Sequence, residues 1–148
     1  MLFPISRGTI EDSARRVPTP VSILRKTLFG VDRPDYEIGT ADLHAEWVAG
    51  MFMLFRRETF AEFGGFDERY FLYYEDVELC TRLALAGKRA VLCPAVEAVH
   101  EARRQRHRDL RYLRWHVASM LRFFCSAPFR TLMWRRLLRR TPDGPRRT

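Results

Sequence analysis

Carboxylates and aromatic rings crowd one stretch of the chain, Gly64-Gly65-Phe66-Asp67-Glu68-Arg69-Tyr70-Phe71-Leu72-Tyr73-Tyr74-Glu75-Asp76-Val77-Glu78-Leu79-Cys80-Thr81-Arg82. Its first fifteen positions hold five carboxylates and five rings. A carboxylate held against a hydroxyl can take its proton as the oxygen attacks, which is worth on the order of 10²–10⁴ in rate. Together the carboxylates and rings suggest a polar site with an aromatic wall. The glycine pair frees the backbone for tight or left-handed turns. A helical pattern starts at Glu75, which sets Glu75 and Asp76 in a first turn, where the helix dipole favours negative charge. Adjacent helical residues point about 100° apart, so the two cannot face one spot: one lines a cleft while the other caps the helix or meets a cation. A purely structural role fits the same residues, since acidic groups at a helix start stabilise it by about 0.3–1 kcal/mol and rings beside a Gly-Gly turn pack into cores.

Flanking segments must position this stretch. Trp47-Val48-Ala49-Gly50-Met51-Phe52-Met53-Leu54-Phe55 is nine uncharged residues, too short for a bilayer and read as a buried strand. Gly50 inside it marks a close approach of another backbone or a ligand. Arg56 to Phe63 reads as a short helix with Phe60 and Phe63 inward, stopped by Gly64. Beyond Glu75 the apolar positions Val77, Cys80, Leu83 and Ala84, with Leu79 alongside, give an amphipathic helix ending at Gly87. Arg89 to Cys93 is a short strand, Pro94 breaks it, and Ala95 to Val99 is extended again. This strand–helix–strand order fits an edge of a mixed α/β sheet. Upstream, Leu2 to Ile5 is the end of a strand or a loop, and Pro18-Thr19-Pro20 breaks the backbone. Val21 to Phe29 has helical spacing closed by Gly30, and residues 31–42 have the turn chemistry of a surface loop.

The 148 residues fit one domain with a buried core. The net charge of +8 is unevenly placed: residues 1–100 hold 12 Lys/Arg against 15 Asp/Glu, and residues 101–148 hold 14 Arg against 3 Asp/Glu. Basicity therefore belongs to the tail, which carries no recognised DNA or RNA motif, and nucleic acid is not the expected partner. Arg103 to Cys125 is the longest helix candidate, with Leu110, Leu113, Val117, Met120, Leu121 and Phe124 on one face among arginines. It is expected to dock at one end. Pro128 interrupts it, and Phe129 to Arg140 offers a second piece that remains free. Cys80, Cys93 and Cys125 lack metal or redox spacing and read as buried thiols. With neither a membrane span nor a signal peptide in the sequence, the expected location is cytoplasmic.

Gly64-Gly65-Phe66-Asp67-Glu68, then Phe71-x-Tyr73-x-Glu75-Asp76-x-Glu78-Leu79-x-x-Arg82, then Gly87, Pro94 and His100, resemble in order and spacing the acceptor-side half of family 2 glycosyltransferases, especially the bacterial rhamnosyltransferase-like members. The resemblance runs from about Trp47 to His100. It implies an α/β fold, the C-terminal part of a GT-A (nucleotide-diphospho-sugar transferase) fold with a short mixed sheet, followed by amphipathic C-terminal helices. The chain then divides into a connecting segment and loop (1–46), the acceptor-side part (47–102), basic amphipathic helices (103–140) and a disordered tail (141–148). The implied activity is transfer of a sugar from a nucleotide-sugar donor to a cell-envelope glycan or lipid-linked acceptor. Asp76 is the implied general base, and Glu75 orients the acceptor or the helix start. Trp47 and Gly50 would line the donor site, and Gly64, Gly65, Phe66, Asp67, Glu68, Tyr74 and Arg82 would complete the acceptor and donor surfaces. His100 is the implied reach toward metal or diphosphate.

A divalent metal, Mg²⁺ or Mn²⁺, is expected for the complete enzyme, yet the Asp-x-Asp motif that normally holds it is absent from this chain. No nucleotide-binding half precedes Met1, so the chain is expected to be a C-terminal portion that is inactive alone. The alternative is a catalytically inactive, truncated homologue that acts as a peripheral membrane or interaction module. Its arginine-rich residues 103–140 would then meet an anionic surface at the inner face of the plasma membrane.

Overall fold

The computed structural model describes residues 3–6, 9–10, 13–30, 33–99 and 110–140. Its strands are β1 (Phe3–Ser6), β2 (Thr9–Ile10), β3 (Ala14–Arg15), β4 (Leu43–Ala45), β5 (Trp47–Val48), β6 (Ala90–Leu92) and β7 (Glu97–Val99). Its helices are α1 (Pro20–Phe29), α2 (Arg57–Glu62), α3 (Glu75–Leu85), α4 (Leu110–Cys125) and α5 (Ala127–Arg140). The short mixed sheet is β2-β1-β7, in which β1 runs antiparallel to β2 and parallel to β7. Two antiparallel pairs accompany it, β3-β5 and β4-β6, with Ala14 opposite Val48 and Leu43 opposite Leu92. Ala14, Val48 and Leu92 are fully buried, so each pair turns an apolar side chain inward.

The apolar run from Trp47 to Phe55 is not one buried strand. β5 takes only its first two residues, the chain turns at Gly50 and Met51, and Phe52 and Leu54 are exposed. The Gly50 N–H donates to the Asp76 carboxylate (2.7 Å), which ties the backbone to α3 instead of to a neighbouring strand. α3 also departs from expectation. Val77, Glu78, Leu79, Cys80 and Thr81 are all buried, so it is enclosed on most sides and not amphipathic along one stripe. β5 packs on one side of it and α5 on another.

α2 ends as its two glycines require. The Gly64 N–H reaches the Ala61 carbonyl (3.0 Å) and the Gly65 N–H the Phe60 carbonyl (2.9 Å), with φ of 68° and 66°. That pair of bonds closes a helix only if the residue after the cap is left-handed, a conformation that costs glycine little.

Within α4 the apolar positions read as one face divide into two groups. Met120 and Phe124 are half-buried, whereas Leu110, Leu113, Val117 and Leu121 are exposed, and the residues buried are Ser119 and Phe123, outside the expected face. The helix docks through its C-terminal half, where the Ser119 hydroxyl donates to the Leu72 carbonyl (2.8 Å). Residues 103–109 and 141–148 lie outside the described residues.

α5 is not free. The Ser126 hydroxyl accepts the Phe129 N–H (3.3 Å), and Pro128 falls in the first turn, where its missing N–H is no loss. Phe129 is buried with Val17, Tyr70, Tyr74, Val77 and Phe123 in the main core. Arg135 donates to the Leu85 carbonyl (2.9 Å), and Arg136 pairs with Glu46 (2.6 Å). Of the cysteines only Cys80 is buried; Cys125 is exposed. Among the described residues no helix is long and apolar enough to cross a membrane.

Candidate active site

Asp76 is the point where α3 meets the chain after β5. Its Oδ2 accepts the Gly50 N–H and its Oδ1 the Val77 N–H, both at 2.7 Å. A Cβ on residue 50 would stand in van der Waals contact with the Asp76 side chain, 3.4 Å from Oδ2. Burial pushes Asp76 above the usual carboxylate range, opposed by the Gly50 and Val77 N–H groups and by the positive charge of Arg15. Burial likewise raises Glu75, and the neighbouring Asp76 charge adds to it. The Glu75 Oε2 is buried with no hydrogen-bond partner among the described residues. Two desolvated carboxylates thus open one helix, one fixed by backbone donors and one with an oxygen unsatisfied.

The backbone leading into them is strained. Tyr73 and Tyr74 both have positive φ, 67° and 68°, a left-handed conformation that costs bulky residues on the order of 1–3 kcal/mol each. Packing holds it in place. Tyr74 lies in the core against Phe123 (5.6 Å between ring centroids), Phe124 and His116, and Tyr73 meets the His116 ring edge-on at 5.0 Å. Burial lifts the Tyr74 hydroxyl to about 12.

A second group surrounds the Gly-Gly turn. The Arg82 Nε donates to both oxygens of buried Glu78 (2.9 Å), while its other nitrogens donate to the Phe63 carbonyl and to the Gly65 carbonyl (2.7 Å). One guanidinium therefore bolts the turn to α3. A Cβ at Gly65 would come within 3.0 Å of the Phe60 ring. This close approach lets Phe66 fold edge-on over Phe60 (5.5 Å) and Phe55 (6.3 Å).

The structure brings Gly50, Glu75 and Asp76 together, and Gly64, Gly65, Phe66 and Arg82 form the adjoining turn. Trp47 sits on β5, its indole N–H donating to the Arg16 carbonyl (2.9 Å) and its ring under the Arg15 guanidinium (5.8 Å). Tyr74 is behind the site, in the core. Asp67 turns away to form a forked pair with Arg69 (2.7–3.0 Å), which holds its carboxyl below the usual range. Glu68 is exposed, and His100 lies outside the described residues.

Beside Gly50 opens a cleft of about 490 Å³, walled by Met51, Met53, Phe55, Phe60 and Phe66, with Arg57 also lining it. Sequence reasoning missed Met51, Met53, Phe55, Arg57 and Arg15 as candidates. The first three were absorbed into the supposed strand. Gly50, already marked as a point of close approach, was the one pointer to them.

A metal would need several convergent ligands. Among the described residues no group of three or more His, Cys, Asp or Glu side chains could hold one. The described part of the chain does not supply a metal site.

Comparison with known proteins agrees with the residue pattern. A model of the glycosyltransferase-like family 2 matches residues 7–122. The rhamnosyltransferase WbbL of Escherichia coli (strain K12) is 35% identical over 130 residues, covering 82% of this chain and 48% of that protein. The N-acetylglucosaminyl-diphospho-decaprenol L-rhamnosyltransferase of Mycobacterium tuberculosis is 33% identical over 114 residues, covering 69% of this chain and 36% of the relative. The O-antigen biosynthesis protein RfbC of Myxococcus xanthus is 35% identical over 82 residues, 51% of this chain. The chain thus spans less than half the length of the curated relatives it matches. No solved structure gives a significant match. The matched region includes the Gly-Gly turn, the Glu75–Asp76 pair and Arg82, and the chain belongs to the family 2 glycosyltransferases.

Proposed function

We propose that this chain carries the acceptor side and the general base of an inverting sugar transfer from a nucleotide-sugar donor to a lipid-linked or cell-envelope glycan acceptor. The single observation that supports it most is Asp76, a carboxylate desolvated at a helix start and held still by the Gly50 N–H. Each of its oxygens accepts one N–H and keeps a lone pair, so it can still take a proton. Burial raises its proton affinity above that of a carboxylate in water, which suits a base working near neutral pH.

In the reaction the acceptor O–H gives its proton to Asp76 while the oxygen bonds to the anomeric carbon. The bond from that carbon to the nucleoside diphosphate breaks, and the leaving group keeps the electron pair. Glu75, with its unsatisfied oxygen, is suited to accept a hydrogen bond from a second acceptor hydroxyl. Arg82 acts through the turn it holds. The described residues are assigned neither the reading of the nucleotide nor a metal, and no step is routed through a metal.

Rhamnose is the proposed sugar, on the strength of the two rhamnosyltransferases. Joined to the nucleotide-binding half of the E. coli relative and offered UDP- and dTDP-sugars with a polyprenyl-diphosphate-linked acceptor, the chain should give a product with inverted anomeric configuration. Retention, or no transfer by a folded fusion, would overturn the reading.

A second observation supports peripheral membrane contact by the same protein. Leu110, Leu113 and Leu121 of α4 are 75%, 55% and 56% exposed on a helix interspersed with arginines, and apolar side chains with nearby Lys or Arg bind anionic lipid surfaces at about 1 kcal/mol per charge. The chain should sediment with anionic vesicles at low salt and be released by high salt, and the double substitution Leu113→Glu, Leu121→Glu should abolish this. Equal sedimentation with neutral vesicles would remove the charge from the account.

A further inference from the structure

The cleft beside Gly50 has a composition that a sugar site would not have. Of its lining residues Gly50, Met51, Phe52, Met53, Phe55, Arg57, Phe60 and Phe66, the only polar side chain is that of Arg57. A sugar ring carries a hydroxyl on most carbons, and a site for it needs several side-chain donors and acceptors, because each hydroxyl buried without a partner costs about 1–3 kcal/mol. Here three rings pack at 5.1–6.3 Å from one another, two methionines lie beside them, and one cation is present. Methionine adapts its shape to irregular apolar ligands. The volume, about 490 Å³, is within the range of small-molecule sites, about 300–1,000 Å³.

Local structure does not account for Arg57. It is the first residue of α2, where a positive side chain opposes the helix dipole, and its side chain is exposed at the cleft. Gly50 ties the cleft to the chemistry, since it lines the cleft and also donates to Asp76.

We propose that this cleft binds the lipid-proximal part of a polyprenyl-diphosphate-linked acceptor, with the Met51–Phe66 wall taking the first isoprene units and Arg57 the diphosphate. The reacting sugar then lies at Glu75 and Asp76, to which the cleft is joined through Gly50. This rests on the transferase reading for the position of the sugar, but the cleft's preference for an apolar diphosphate is testable without turnover.

The test titrates the chain with farnesyl diphosphate below its micelle concentration, with inorganic diphosphate, with farnesol and with N-acetylglucosamine. The reporters are calorimetry and the methyl resonances of Met51 and Met53. Farnesyl diphosphate should bind saturably and shift both methionines, and the free sugar should do neither. Arg57→Gln, on an exposed residue, should weaken farnesyl diphosphate about tenfold, the loss of one charge-assisted contact, and leave farnesol unchanged. Met53→Glu should weaken both, and circular dichroism shows whether either variant is folded. Absence of farnesyl diphosphate binding, or binding unaffected by both folded variants, overturns the proposal. If the lipid diphosphate binds as expected but the fusion with a nucleotide-binding half transfers no sugar, the transferase reading fails and the cleft stands. If the fusion glycosylates a lipid-free glycan and farnesyl diphosphate does not bind, the cleft proposal fails alone.

Discussion

Asp76→Asn, in the chain joined to a nucleotide-binding half, is expected to lower kcat by about 10²-fold or more while leaving the KM for the donor close to its original value. Asparagine keeps an oxygen for the Gly50 N–H, so the turn after β5 survives, while the proton-accepting charge and the hydrogen bond from the Val77 N–H are lost. The same substitution should raise the thermal midpoint at pH 7. Burial raises the folded-state pKa of Asp76, so the folded protein favours the protonated carboxyl. The associated stability is present below the unfolded pKa, near 3.9 for an aspartate, and is lost as pH rises through the folded value. Asparagine mimics the protonated form at every pH. Its advantage should therefore shrink as pH falls toward 4, where the original residue also becomes neutral. Near-normal turnover in this variant would exclude Asp76 as the base and leave Glu75, whose buried oxygen is unsatisfied, as the next residue to replace.

Phe123→Ala should cost about 3–5 kcal/mol, the range for emptying a buried aromatic site. The ring is fully buried and lies 5.6 Å from Tyr74, 5.8 Å from Phe124 and 5.1 Å from Phe129. Against a total stability of about 5–15 kcal/mol for a domain, that loss takes a large part of the whole. Urea denaturation of the chain measures it, read as a shift in midpoint at constant slope. A loss below about 1 kcal/mol would mean that the Tyr74–Phe123–Phe129 cluster is not what supports the left-handed backbone before α3.

The parts of the fold legible in the sequence were those set by local chemistry. Gly30, Gly64 and Gly87 mark the ends of α1, α2 and α3 because left-handed caps depend on one residue type, and all three have positive φ. The strands around Pro94 and the break at Pro128 follow from a missing N–H. What could not be read was set by partners far along the chain. Trp47 to Phe55 has the composition of a buried strand, and it turns because a carboxylate 26 residues later takes the Gly50 N–H. Tyr73 and Tyr74 gave no sign of positive φ, since nothing in a tyrosine favours it and the packing that sustains it comes from distant parts of the core, α4 among them. The stripe on α4 was read by spacing alone, which cannot tell how much of a helix finds a partner.

The Glu75–Asp76 pair was singled out by type and position, and the structure sets both carboxylates, desolvated, at a helix start. Arg82 was grouped with the binding residues; in the structure it pairs with Glu78 and donates to backbone carbonyls of the Gly-Gly turn. That role depends on the turn's fold and has no separate signature in composition.

The docking of α5 against α3 has a consequence for the order in which the molecule is made. A ribosome delivers α3, residues 75–85, some forty residues before Ala127–Arg140, the segment that covers it through Phe129. During synthesis the nascent chain therefore exposes Val77 and its neighbours until α4 has formed and α5 has left the exit tunnel. The Glu75–Asp76 pair can reach its desolvated geometry only then, because the strained tyrosines before it are held by rings from Phe123 and Phe124. The arrangement of these two carboxylates is thus completed last, and a prematurely terminated product ending near Ser126 would present an apolar helix surface suited to chaperone capture and proteolysis.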